Sequence, residues 1–346
     1  MGLHVALIGG GMVARVHLDA LATHPDVTAI SLAELDRAAQ EAMARQYPLR
    51  RVESDYRRLL EDPTIDVVDI CLPHDLHHPV GLAALEAGKH VLSEKPIALT
   101  LQEADELIAA AERAGKRYFV ALNQRFLPAH AEARRLLHEG AIGRPFMATV
   151  TIIGNELERM NQPGHWKGSW ERAGGGVLAD TGTHAVDLML WWFGAPDRVT
   201  CRWQRTVVEA EDKGDDTTVV VMEYSNGPLV TLAMTYAAAD PWSERKRVYG
   251  TSGSLHVVSE DAEPLVVFKE GERRVMPVEH DPNWWPYSVK RGVHHFVDCL
   301  VHDWEFSVTP QDARETLRVI LDAYRAAQGG HDHADWIGSD RRVSDP

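Results

Sequence analysis

Cysteine is scarce: the 346-residue chain has 3, Cys71, Cys201 and Cys299, far apart and none in a Cys-x-x-Cys pair. Their spacing excludes a disulfide framework and a thiolate zinc site and predicts buried, inert thiols. Basic charge is short as well. The 36 Lys and Arg stand against 51 Asp and Glu, a formal net charge of -15, which repels nucleic acid and anionic lipid surfaces. A small molecule is the expected partner. No apolar run approaches the roughly 18 residues that span a bilayer, and nothing ahead of His4 has the charged start of a secretion signal. The expected location is therefore cytoplasmic, with no membrane partner. Repeats and low-complexity tracts are also missing. Apolar substance is not, since 45% of the residues are hydrophobic, and a chain of this length is expected to form two domains.

The grammar of the chain changes partway along. From His4 to Asn123, short apolar runs alternate with amphipathic stretches: His4 to Ile8, Val27 to Ala33, Asp66 to Leu72, His90 to Ser93 and Tyr118 to Leu122 read as strands. Such alternation predicts an α/β Rossmann domain, a parallel doubly wound sheet with crossover helices. Gly88 marks a helix stop. Beyond Pro128 the period becomes two, as in Phe146 to Ile153 and in Pro228 to Tyr236, where Val230, Leu232, Met234 and Tyr236 share a face. Asn226-Gly227 signals a hairpin. This half is expected to be an α+β domain with an open, mostly antiparallel sheet. A last helix starts at Thr309-Pro310, Thr as N-cap and Pro in the first turn, and ends near Gly329-Gly330. The expected division is 1–125 for nucleotide binding, 126–330 for substrate and oligomerisation, and 331–346 as an irregular tail. The tail's His331, Asp332, His333 and Asp335 lack closing ligands, so no metal site is expected.

Between the first strand and the first helix runs Gly9-Gly10-Gly11-Met12-Val13-Ala14. Gly9, Gly11 and Ala14 fit G-x-G-x-x-G/A: Gly9 for the tight turn, Gly11 for close approach to a pyrophosphate, and Ala14 for close packing of helix on strand. The helix N-terminus beyond it favours the anion. Glu34, twenty positions past Ala14, is placed to accept from ribose hydroxyls. Its carboxylate, with Asp36, repels a 2′-phosphate and predicts NAD over NADP; Arg37 is the one group at that corner that favours the phosphate.

Ser93-Glu94-Lys95-Pro96 closes a predicted strand at the carboxyl edge of the sheet, where doubly wound folds bind ligands. This run, with Leu72-Pro73-His74-Asp75-Leu76-His77 and Glu86 to His90, resembles the glucose-fructose oxidoreductase/inositol dehydrogenase (Gfo/Idh/MocA) family. Gly174-Gly175-Gly176 through Asp180, His184 and Leu188 resembles its second signature, and Asn123 to Pro128 its domain junction. The resemblance implies a Lys, an Asp and a His near the nicotinamide, which map onto Lys95, Asp180 and His184. Oxidising a secondary alcohol requires a base for the hydroxyl proton, and His184 is the natural one. Asp180, four residues earlier, shares its face if the segment is helical, and would orient the imidazole or position a hydroxyl. Lys95 can donate to the reacting oxygen. Asp187, on the same helical face, reads as structural. Glu94 is placed to hold the nicotinamide ribose or Lys95. By the same resemblance Pro73 and His77 lie along the cofactor, with His74 and His78 as plain loop residues.

For substrate contacts the resemblance implies Arg125, Asn155 and Tyr236; separately, Trp166 lies in an aromatic loop with His165, Lys167 and Trp170 just before the glycine run, and its ring can stack on an apolar sugar face. The expected activity is an NAD-dependent dehydrogenase transferring hydride between a secondary hydroxyl of a sugar, inositol or related cyclic polyol and the nicotinamide. The alternatives are a non-catalytic NAD- or sugar-sensing regulator, or an NAD-retaining glycosidase of the same family. An open sheet face needs covering, so a homodimer or homotetramer is expected.

Overall fold

The computed structural model describes residues 2–208 and 212–328. The expected tail, with its His331 cluster, and the Gly329-Gly330 helix end lie outside the described residues.

The first unit runs β1 (Leu3–Ile8), α1 (Met12–Ala22), β2 (Val27–Ala33), α2 (Arg37–Gln46), β3 (Arg51–Glu53), α3 (Arg57–Leu60), β4 (Val67–Ile70), α4 (His77–Glu86), β5 (His90–Ser93), α5 (Leu101–Ala114) and β6 (Tyr118–Val120). Its strands form one parallel sheet in the order β3-β2-β1-β4-β5-β6, the dinucleotide-fold order with its switch between β1 and β4. The central strands bury both faces, hence their unbroken apolar runs: Val5, Leu7, Leu32, Val67, Val68, Ile70 and Val91 are fully buried. The helix stop read at Gly88 is present, with φ 71°.

The second unit adds α6 (Pro128–His138), β7 (Pro145–Ile153), α7 (Leu157–Asn161), α8 (Trp170–Ala173), α9 (Gly182–Phe193), β8 (Arg198–Gln204), β9 (Thr217–Glu223), β10 (Leu229–Thr235), β11 (Ser243–Gly250), β12 (Gly253–Val258), β13 (Leu265–Lys269) and β14 (Glu272–Val275). The eight strands form a sheet in the order β14-β13-β12-β11-β7-β10-β9-β8, antiparallel except where β10 lies parallel to β7. The Asn226-Gly227 hairpin joins β9 to β10, and Val230, Leu232, Met234 and Tyr236 all turn into the core. The opposite face leaves Met147, Val219 and Leu229 exposed.

Two helices close the described residues, α10 (Trp284–His302) and α11 (Pro310–Gln328). Thr309 and Asp312 cap α11 reciprocally, each backbone N–H donating to the other's side chain, at 2.9 and 3.1 Å. Although α10 follows the second sheet, it packs on the first unit. Val289, Val293, Phe296 and Val297 belong to the nucleotide-binding core, as do Ala313 and Leu317 of α11. Asp298 meets His24 at 3.2 Å and His294 meets the Ala20 carbonyl at 3.0 Å. The first core is thus completed by residues far beyond the expected break at 125/126. All three cysteines are buried free thiols, and among the described residues no helix is long and apolar enough to cross a membrane.

Candidate active site

The glycine turn leaves β1 as predicted. Gly9 has φ 107°, and a Cβ there would lie 2.2 Å from the Cys71 carbonyl oxygen, so only glycine passes between β1 and the end of β4. Gly10 sits against the Glu34 carboxylate, 2.6 Å from where its Cβ would be. Gly11 is different: its missing Cβ faces open space. It precedes α1, whose first turn has neither a side-chain cap nor an acidic residue. Ala14 is fully buried, Val13 half-buried, and Met12 exposed. An uncapped helix N-terminus with room in front of it, and Glu34 at the tip of β2, fits a dinucleotide's diphosphate and ribose.

Lys95 leaves the carboxyl end of β5 toward the second unit. Its ammonium donates to Asp180 Oδ1 at 2.5 Å and to the Asp180 carbonyl at 3.2 Å. The Lys95-Pro96 peptide is cis. Asp180 Oδ2 accepts from Lys167 Nζ and from the Tyr236 hydroxyl, each at 2.8 Å. Burial alone would favour the neutral acid, but the Lys167 and Lys95 charges outweigh it and hold Asp180 well below the usual carboxylate range. Tyr236, pushed up by burial and by Asp180, stays a donor. Asp180 is therefore a fixed anion.

The glycine run explains how Asp180 arrives there. A Cβ on Gly175 would strike the Tyr324 hydroxyl at 2.2 Å, and one on Gly176 the Asp215 backbone at 1.9 Å. The buried Asp215 carboxylate accepts from the Gly176 and Leu178 amides, 2.8 and 3.1 Å, and from Tyr324, 2.6 Å. The backbone is clamped just ahead of Asp180, and Thr181 then serves as N-cap of α9.

His184 lies in the first turn of α9, yet Asp180 precedes the helix and spends its oxygens on Lys95, Lys167 and Tyr236. Of the two roles open to Asp180, the bond to the imidazole does not form. Instead His184 Nδ1 is buried without a hydrogen-bond partner. Burial, then the Lys95 charge, push its pKa down to about 4, so the ring is a neutral acceptor at ordinary pH.

Several sequence-predicted residues have other occupations. The Arg125 guanidinium binds both Asp187 oxygens, the shortest contact 2.6 Å, and Asp312 at 3.4 Å, joining the junction to α9 and α11. Asp187 is structural, as read. Asn155, exposed, donates to the Ala238 carbonyl and accepts from the Leu157 amide, 3.0 and 3.1 Å, which fixes its loop. His77 is fully buried and bonds the Pro96 and Leu72 carbonyls at 2.7 and 2.9 Å, bracing two strand-end loops, one of them at Pro73. His74, read as a plain loop residue, is buried beside the site, with Nδ1 against the Ala173 carbonyl at 2.8 Å. Burial and the Lys95 charge push it down to about 3. Trp166 packs on the His74 ring, centroids 4.5 Å apart, whereas Trp170 packs inward on Trp203 and Tyr324. Tyr236 reaches the site through Asp180, and its hydroxyl is committed there.

Two residues escaped the sequence reading. Lys167, named only as a neighbour of Trp166, is the second ammonium on Asp180. His17 was not singled out: fully buried on α1, it bonds both Asp69 oxygens through Nδ1, 3.0 and 2.9 Å, and Glu94 Oε1 through Nε2, 3.1 Å. Burial opposes its protonation, but Asp69 prevails and raises it well above the ordinary value. Glu94 in turn accepts the Lys95 amide at 3.2 Å, so of the two roles open to it the geometry supplies the hold on Lys95. Donor atoms of His17, Asp69 and Cys71 lie within 4.8 Å of one another, but both ring nitrogens are already spent on carboxylates.

Comparison with known proteins gives the following. The model of the oxidoreductase family with NAD-binding Rossmann fold matches residues 3–122, and that of the GFO/IDH/MocA C-terminal domain matches residues 130–256. Levoglucosan dehydrogenase of Pseudarthrobacter phenanthrenivorans is 34% identical over 212 residues, 58% of this chain and 54% of that protein. The matched stretch thus spans about half the length of that relative. Trans-1,2-dihydrobenzene-1,2-diol dehydrogenase of Mus musculus is 29% identical over 341 residues, 95% of this chain and 98% of that protein. A solved levoglucosan dehydrogenase in complex with NADH and levoglucosan is similar with TM-score 0.85 and 25% identity, covering 95% of this chain and 98% of that one.

Proposed function

Because this chain belongs to the Gfo/Idh/MocA family of NAD-binding oxidoreductases, we propose that it oxidises a secondary hydroxyl of a sugar or related cyclic polyol, inositols included, with NAD. The observation that carries this reading is the meeting of Lys95, from the nucleotide-binding sheet, with Asp180 at 2.5 Å, beside the unpartnered His184 Nδ1.

When bound, the nicotinamide supplies the hydride acceptor. The protein manages the proton. His184, held neutral, accepts it from the substrate hydroxyl, and Lys95 Nζ donates to the oxygen on which negative charge grows. Asp180, kept ionised by Lys167, holds that ammonium in place and is not itself the base. Glu34 accepts from the adenosine ribose and selects against a 2′-phosphate. The surroundings are charge-balanced, Lys95 and Lys167 against Asp180 and Glu156, which suits an uncharged polyol better than a sugar acid.

A panel of sugars, anhydrosugars and inositols with NAD, read at the nicotinamide absorbance, tests the proposal. Reduction with at least one neutral polyol is expected, and silence across the panel from protein shown to bind NAD would overturn it. Lys95→Ala and His184→Ala are each expected to lower kcat roughly 10²- to 10⁴-fold while the protein still folds and melts cooperatively. Wild-type rates in both variants would remove the assignment.

A further inference from the structure

Residues 154–173, between β7 and the glycine run, reach from the second unit across to the first. Trp166 packs on His74, and Arg172 Nε donates to Asp75 Oδ2 at 3.1 Å. At the other end of the segment α7 presents Arg159. Its Nη1 is pinned to both Glu156 oxygens, 3.2 and 3.0 Å. Its Nη2 points at the sulfur of Met12, 3.8 Å away. A thioether is a weak acceptor, so this arm of a permanently charged, five-donor group keeps most of its hydrogen-bonding capacity.

Met12 opens α1, an 11-residue helix whose N-terminal amides meet no side-chain cap and no acid, and the preceding Gly11 leaves open space where a Cβ would be. An anion-attracting helix end and an under-used guanidinium thus meet at Met12, the first residue of α1. The two come from different units.

We propose that Arg159 is a second-unit ligand for the diphosphate of the bound dinucleotide, an inference that rests on the NAD-dependent reading above. Planar guanidinium forks match phosphate oxygens better than any other side chain. Glu156 orients the fork, and it also meets Lys167 at 3.5 Å, which holds Asp180, which holds Lys95. Charges alternate from the diphosphate to the reacting oxygen: phosphate, Arg159, Glu156, Lys167, Asp180, Lys95. Each member neutralises its neighbours, so the group that grips the cofactor is tied to the group that meets the substrate.

The test uses the full chain and ADP-ribose, which carries the diphosphate but no nicotinamide, titrated by calorimetry. Arg159→Gln is expected to weaken ADP-ribose on the order of tenfold, the value of one charge-assisted contact, with an unchanged melting curve, and Arg159→Lys to recover part of the loss. Wild-type affinity in Arg159→Gln would overturn the inference while leaving the dehydrogenase reading intact. A wild-type chain that binds neither ADP-ribose nor NAD would overturn both.

Discussion

His74, His130 and His184 are held neutral, burial pushing them down to about 3, about 3 and about 4. In the unfolded chain each takes up a proton near pH 6.5. Between those limits the unfolded state binds more protons than the folded one, so stability falls as pH falls from 6.5 toward 4, by at most about 1.4 kcal/mol per pH unit for each such histidine. His17 has the opposite sign. Its folded pKa is raised, so its contribution is complete below pH 6.5 and lost as pH rises through the folded value. The thermal midpoint is expected to drop by several degrees between pH 7 and pH 5, above the range where most carboxylates titrate. His130→Gln, though less stable at pH 7, should show a shallower drop, and equal midpoints at the two pH values in the wild type would contradict neutral burial. At this scale the sequence was legible where local signals sufficed: Gly9 and Gly11 sit in a turn whose spacing encodes its geometry, and Glu34 follows at the tip of the next strand. His17 was not legible, because its partners Asp69 and Glu94 lie 52 and 77 residues away and a lone histidine on an amphipathic helix carries no sign of them. The partners of Arg125 were hidden for a related reason, since Asp187 and Asp312 reach it from two later helices.

At the scale of elements, the turn from β1 to α1 does two separable things. Gly9 lets the backbone pass Cys71, and Gly11 keeps the helix end open. Gly9→Ala is expected to lose about 3 kcal/mol or fail to fold, because φ 107° and a contact of 2.2 Å with backbone leave no room to relax. Gly11 has φ -69°, which any residue adopts. Gly11→Ala should therefore melt like the wild type yet bind NAD more weakly, since its methyl enters the space in front of the helix. Melting curves and NAD titrations of both variants check this, and a Gly11→Ala protein with unchanged NAD affinity would count against the placement. Strands, hairpin and caps could be read from period and turn chemistry. The start of α9 could not. Asp180 and His184 have helical spacing, but Thr181 is the N-cap and Asp215 clamps the chain before it, so the two side chains part company.

On the scale of the whole molecule, the return of α10 to the first unit has a consequence for biosynthesis. The nucleotide-binding sheet is complete when β6 leaves the ribosome, but its outer surface still lacks Val289, Val293, Phe296 and Val297. About 170 residues separate the two, which at ordinary elongation rates is a delay of roughly 10 to 35 s. During that interval Phe119, buried against Phe126, His295, Phe296 and Phe306 in the finished protein, has only its earliest partners. A chain ending at residue 127 is expected to collect in the insoluble fraction or to bind a dye for exposed apolar surface, and to be rescued by a separately supplied 277–328 peptide. A soluble, dye-negative fragment would show that the early half matures alone. By this geometry the first sheet to be made is among the last parts of the described chain to have its outer surface covered.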